Sequence, residues 1–184
     1  MFQEYDLTNF YRLLHPRPAI VITSRCDDKV NAMACSWFTP VSEDPPTVLV
    51  VIDESSYTAE CISRTGEFVI NILPSELLNK IWIAGSRSGR DVDKIKAMAV
   101  NLIKCVKVNS FAISEAVGVI EVSRVKAYEV SGTKVFIGEV VAAYVKEGVA
   151  SKYGWDLNKV SIPLHDWGRK FYTLNKDVRY IYVK

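Results

Sequence analysis

The segment GVIEVSRVKAYEVSG, Gly118 to Gly132, is followed after Thr133 by KVFIGEVVAAYVKEG, and this pair constrains the fold more than any other part of the chain. In the first run Val119, Glu121, Ser123 and Val125 alternate with Ile120, Val122, Arg124 and Lys126. A period of two sends successive side chains to opposite faces of a sheet, and Ser-Gly-Thr between the runs is turn chemistry. The pair is expected to form a long antiparallel hairpin. AIVITSR, VNAMACSWF, PPTVLVVID and EFVINIL are also of strand length, with CDDK as the turn between the first two. Helical spacing intervenes at LTNFYRLL, where Thr8 or Asn9 can cap, at ESSYTAECISRTG, which stops at Gly66, at PSELLNKIWIAG and at DVDKIKAMAV. RKFYTL and VRYIYVK are expected as short edge strands. There is no regular strand–helix–strand alternation, so the pattern predicts a mainly β chain with inserted helices, an antiparallel barrel, in one domain over residues 1–184.

Other classes are disfavoured. The 23 basic and 21 acidic residues leave a net charge of +2 with no basic stripe, which argues against nucleic acid. Runs such as TVLVVI are too short to span a bilayer. The N-terminal MFQEYDLTNFYRLL has neither the basic start nor the apolar centre of a signal peptide, so a cytoplasmic protein is expected. Cys26, Cys35, Cys61 and Cys105 form no C-x-x-C pair, and the only histidines are His15 and His165. No metal site is expected, and the cysteines are expected to be reduced, three of them as core residues.

Three stretches have the composition of a binding site. Along VNAMACSWF, Ala32, Ala34 and Ser36 share a face with little bulk, against which a flat aromatic ligand or a neighbouring helix can lie. The following SWFTPVS is expected to leave the ladder, and its backbone groups then need other partners. AGSRSGRDVDK sets glycines, serines and arginines beside a helix start, a mixture suited to a phosphate monoester or to a solvated loop. In DESSYT, Ser55, Ser56 and Thr58 can cap a helix or bind hydroxyl and phosphate oxygens. Neither G-x-x-x-x-G-K-[ST] nor G-x-G-x-x-G occurs.

The runs NAMACSWFTPVSEDPPTVLVVI, YTAECISRTGEFVINIL, WIAGSRSGRDVDK and VFIGEVVAAYV together resemble the flavin reductase-like, FMN-binding split-barrel family, which includes flavoredoxins, ferric reductases and the reductase components of two-component monooxygenases. The resemblance implies an antiparallel split β-barrel of FMN-binding type, a homodimer and FMN as cofactor. It implies that Asn31, Ser36, Trp37, Phe38 and Thr39 line the flavin ring and ribityl chain. Ser55, Ser56 and Thr58 would hold ribityl or phosphate oxygens, and Arg87, Ser88 and Lys94 the phosphate. His165, Trp167 and Arg169 are secondary candidates near the flavin. One departure is that several relatives carry a histidine in the turn before the LFIGE-like strand, where this chain has Thr133 and Lys134. The activity implied is NAD(P)H-dependent flavin reduction. The alternatives are a flavoredoxin-like electron carrier reduced by a protein partner, and a split-barrel binding module without redox chemistry.

Overall fold

The computed structural model describes residues 1–174. Its centre is a seven-stranded antiparallel sheet. In chain order the strands are β1 (Ile20–Cys26), β2 (Lys29–Cys35), β3 (Phe38–Glu43), β4 (Pro46–Asp53), β5 (Phe68–Ile72), β6 (Gly118–Val130) and β7 (Thr133–Val145). Their order across the sheet is β2-β1-β5-β6-β7-β4-β3. β2 and β3 are therefore opposite edges, yet only Ser36 and Trp37 separate them in the chain. Three peptide units reach about 11 Å at most. The two edges must approach one another, and the sheet rolls into a barrel with a seam at Ser36–Trp37.

The hairpin read from the sequence is β6–β7, paired from Thr133 with Val130 to Val145 with Gly118, with two register shifts. Residues of one parity fill the barrel: Ile20, Ile22, Val50, Phe68, Ile70, Val122 and Phe136 are buried together. The other parity faces outward, where Val21, Ala32 and Val69 are covered by further elements. Both faces of β1 and β5 are buried, which explains their unbroken apolar runs.

Three α-helices are present among the described residues: α1 (Tyr57–Thr65), α2 (Leu78–Ser86) and α3 (Lys94–Met98). Ser56 caps α1 by accepting from the Ala59 N–H at 3.1 Å. Gly66 ends it in the left-handed region at φ 68°, a conformation that costs glycine nothing. Ala59 and Ile62 of α1 close one end of the barrel interior. α2 and α3 pack on the outer face with a small hairpin of Leu102–Lys104 and Phe111–Ile113. Buried Asn71 anchors that hairpin. It donates to Val21 O and Thr23 Oγ1, both at 3.0 Å, and accepts from the Ile113 N–H at 2.7 Å.

Several expectations need correction. LTNFYRLL is a 3-10 helix capped by Asp6, not by Thr8 or Asn9, because the Asp6 carboxylate reaches the Thr8 N–H at 2.9 Å. SWFTPVS does not stay outside the ladder: from Phe38 onward it is β3, paired with β4. The cysteines are not all reduced. Cys26 at the end of β1 is bonded to Cys61 on the buried side of α1, with Cα atoms 4.9 Å apart. A separation of 35 residues left no spacing signal for that pair. Cys35 and Cys105 are free and buried. RKFYTL gives the strand Phe171–Thr173, in a small sheet with Arg17–Pro18 and Pro163–His165 and not in the barrel. VRYIYVK lies outside the described residues.

Candidate functional site

β2 carries polar Asn31 near its start and the small residue Ala34 near its end, with Ser36 just beyond it. Asn31 and Ser36 are five residue steps apart, about 16 Å of extended chain, and each borders a cavity.

The cavity at Asn31 has a volume of about 500 Å³ and a mixed polar and apolar lining that includes Tyr57, Gly89, Arg90 and Lys94. Asn31 is 3% exposed. Its Nδ2 donates to Thr58 Oγ1 at 2.7 Å, while its Oδ1 is buried without a partner. An unpaired buried carboxamide oxygen carries a desolvation cost that a ligand donor or a water would remove. Gly89 passes directly over it. A Cβ built on Gly89 would collide with Asn31 Oδ1 and stand 2.8 Å from Tyr57 Cδ1, so only glycine permits this approach.

Lys94 is 5% exposed and donates from Nζ to Ala84 O at 2.8 Å, satisfying a carbonyl of the last turn of α2. Burial pushes its ammonium down to about 8, which leaves it mostly charged at neutral pH. Two of its three donors are not used in that bond. Arg90 donates to Ser55 O and to Glu60 Oε2, each at 2.9 Å, and its guanidinium lies 5.3 Å from the centre of the Tyr57 ring. Asp28, Asp91 and Asp93 border the same cavity.

The second cavity, about 310 Å³, is mainly apolar. Ala34, Ser36, Gly85, Trp82, His165 and Trp167 border it. Of the two occupants expected for the small face of β2, a helix takes most of it: Ala32 is completely buried beneath α2, and a Cβ on Gly85 would come within 3.1 Å of Ala34 Cβ. Small side chains there admit a helix, and space for a flat group remains only toward Ala34 and Ser36. His165 Nε2 donates to Gly168 O at 3.1 Å, and its carbonyl accepts from His15 Nδ1 at 3.0 Å. Arg12 stacks on Trp167 at 3.9 Å, and Arg169 faces Trp82 at 5.2 Å. Cys35 also borders this cavity, but burial pushes its thiol up to about 11, so it is not a thiolate at neutral pH.

The residues singled out from sequence therefore divide. Asn31, Thr58 and Lys94 are brought together, with Ser55 and Ser56 at the start of α1 nearby. Ser56 serves as the helix cap, and the Ser55 hydroxyl donates to Asp53. Ser36, His165 and Trp167 meet at the apolar cavity. Ser88 stabilises its own loop by accepting from the Arg90 N–H at 3.2 Å, and Arg87 is exposed at the end of α2. Trp37, Phe38 and Thr39 border neither cavity. Trp37 is exposed against Tyr11, Phe38 packs with the barrel interior, and Thr39 pairs with Leu49 on β4. Lys134 is turned toward Ser63 and Glu129. Tyr57, Trp82 and Arg90 were not singled out, although each lies within or beside a quoted motif. What marks them is an aromatic or cationic group next to glycine and serine.

Comparison with known proteins agrees with this architecture. A family model described as "Flavin reductase like domain" matches residues 11–175. An uncharacterised protein of Archaeoglobus fulgidus is 31% identical over 95% of this chain and 97% of its own length. Another uncharacterised protein, from Pyrococcus abyssi, is 35% identical over 74% of this chain and 78% of its own. Among solved structures, flavoredoxin from Methanosarcina acetivorans superposes with a TM-score of 0.87 at 24% identity, covering 98% of this chain and 95% of that one. An FMN-binding protein from Thermus thermophilus gives 0.85 at 21% identity and 98% coverage of both. At these identities the structural likeness establishes the fold. With the family model spanning most of its length and a relative above 30% identity covering nearly all of it, the chain belongs to the flavin reductase-like family.

Proposed function

We propose that this chain binds FMN along β2 and acts as a flavin-dependent oxidoreductase, with NAD(P)H as electron donor. The observation that carries this reading is the partnerless, buried Oδ1 of Asn31 beside a cavity bordered by the buried Lys94 ammonium, in a chain of this family. The residues fit the group. Asn31 offers an acceptor to a ribityl hydroxyl. The start of α1, from Ser55 to Thr58, offers hydroxyls and the positive end of a helix. Lys94 supplies a charge that is already desolvated, which strengthens its attraction for a phosphate. Ala34 and Ser36 leave room for a flat ring beside Trp82.

FMN, when bound, supplies the hydride and electron chemistry. The chain holds the ring, keeps water from one of its faces and neutralises the tail. Holding donor and acceptor rings in contact is then the main contribution to rate. No side chain is assigned as acid or base.

We also assign a second copy of the chain as partner. The Leu7–Leu14 helix buries none of its residues, and Leu7, Phe10, Leu13 and Leu14 are exposed. Such a contiguous apolar face is the signature of an interface. Its Tyr11 touches both Trp37 and Trp167, so this face borders the apolar cavity. Light scattering on the purified protein should give twice the chain mass.

The deciding experiment is anaerobic titration with FMN and then with NADH or NADPH, followed by visible absorbance. FMN uptake and bleaching by a nicotinamide are expected. Uptake without bleaching by either nicotinamide would instead indicate an electron carrier served by a protein, and no uptake would end the flavin reading.

A further inference from the structure

Residues 87–93 leave α2 and return at α3 as a compact excursion. Its base is tied by the Lys94–Ala84 hydrogen bond. Within it, Ser88 O accepts from the N–H groups of Asp91 at 3.2 Å and Val92 at 3.1 Å, and Ser88 Oγ accepts from Arg90 N. A loop with joined ends, packed by its own groups, moves as a unit.

One side chain fastens its tip to α1. Arg90 reaches Ser55 O, Glu60 Oε2 and the Tyr57 ring, all in α1 or the turn before it. Beneath this fastening, Gly89 rests on Asn31 Oδ1. That oxygen is buried and has no hydrogen-bond donor. A ligand donor cannot reach it while Gly89 stays in place. The base of the excursion is buried, whereas the Arg90–Glu60 pair is about half exposed. The weak point is therefore the tip.

The geometry points to a lid: residues 87–93, hinged at Lys94–Ala84 and latched to α1 by Arg90, close over Asn31 and hold back any ligand that uses its oxygen. Arg90 is a positioning residue that acts through Gly89. The closed lid competes with the ligand, so apparent affinity falls with the fraction of open molecules. The identity of the ligand as FMN rests on the function proposed above; the latch does not.

Two variants test it. Glu60→Gln removes the charge that holds Arg90 and leaves the arginine in place. Gly89→Ala keeps the latch but sterically prevents closure on Asn31. Each is measured without ligand by amide hydrogen exchange over residues 86–93, and with FMN by stopped-flow fluorescence quenching. Faster exchange in that segment alone is expected in both, together with an FMN association rate raised about two- to fivefold, the range set by an exposed ion pair. Exchange and association unchanged from the parent in both single variants would overturn the lid. If the parent takes up no FMN, the flavin reading fails and the exchange measurement still decides the latch.

Discussion

Lys94 Nζ donates to Ala84 O at 2.8 Å, joining the first residue of α3 to the last turn of α2 across ten residues. The family resemblance offered Lys94 as a phosphate ligand; in the structure its ammonium caps a helix end. Burial lowers its folded pKa to about 8, from an ordinary value of 10.5. Between those values the unfolded chain binds more protons than the folded one, so stability should rise with pH across this window. Lys94→Met removes the titrating group. Urea denaturation at pH 7.5 and pH 10 should show the parent gaining stability relative to Lys94→Met at the higher pH, and parallel behaviour would contradict the assignment.

Asn31→Ala deletes the free acceptor and strands the Thr58 hydroxyl. Thermal stability should fall modestly, by about 1 kcal/mol, while FMN affinity drops about tenfold. Asn31→Asp retains an acceptor but adds charge near the flavin tail and should bind worse than the parent. Fluorescence titration reads both, and an unchanged dissociation constant in Asn31→Ala would remove Asn31 from the site.

The Cys26–Cys61 bond closes a 35-residue loop and pins α1 to the barrel end. Loop-closure entropy gives it about 3–4 kcal/mol. Thiol counting under denaturing, non-reducing conditions should find two thiols, Cys35 and Cys105. Cys26→Ser combined with Cys61→Ser should lower the melting temperature by a margin that added reductant reproduces in the parent. Four thiols in the untreated protein would refute the pairing.

Glu121 is a fully buried carboxylate on β6. Its oxygens accept from the backbone N–H groups of Val106, Lys107 and Val108 and from the Tyr144 hydroxyl. Burial pushes its pKa up, but these donors outweigh it and hold the carboxyl below its ordinary 4.5. Its contribution is present above that value and is lost as pH falls through the folded pKa. Glu121→Gln turns an amide N–H toward other donors and should cost about 2–4 kcal/mol at pH 7. The gap from the parent should narrow as pH falls through the lowered folded pKa.

Ala34→Phe tests the small face of β2. Because α2 passes so near Ala34, the larger ring must displace the helix or fill the apolar cavity. Overpacking predicts a loss of about 1–3 kcal/mol together with weaker flavin binding. A variant of full stability and full affinity would show that Ala34 borders no ligand.

The sequence by itself determined strands β1, β2, β4 and β5, the β6–β7 hairpin, the helix stop at Gly66, and the family. Period-two alternation, capping side chains and turn glycines act over a few residues, so they can be read locally. It also pointed to Asn31 and Lys94, which border one cavity, and to Thr58, which is hydrogen-bonded to Asn31. Only the tertiary structure decided that β2 and β3 are opposite edges brought together at Ser36–Trp37. It alone set α2 on Ala32, bonded Cys26 to Cys61, and turned Trp37, Phe38 and Thr39 away from both cavities. Each of these depends on residues tens of positions apart meeting as the sheet curls, and no periodicity along the chain records which distant partner a side chain will face.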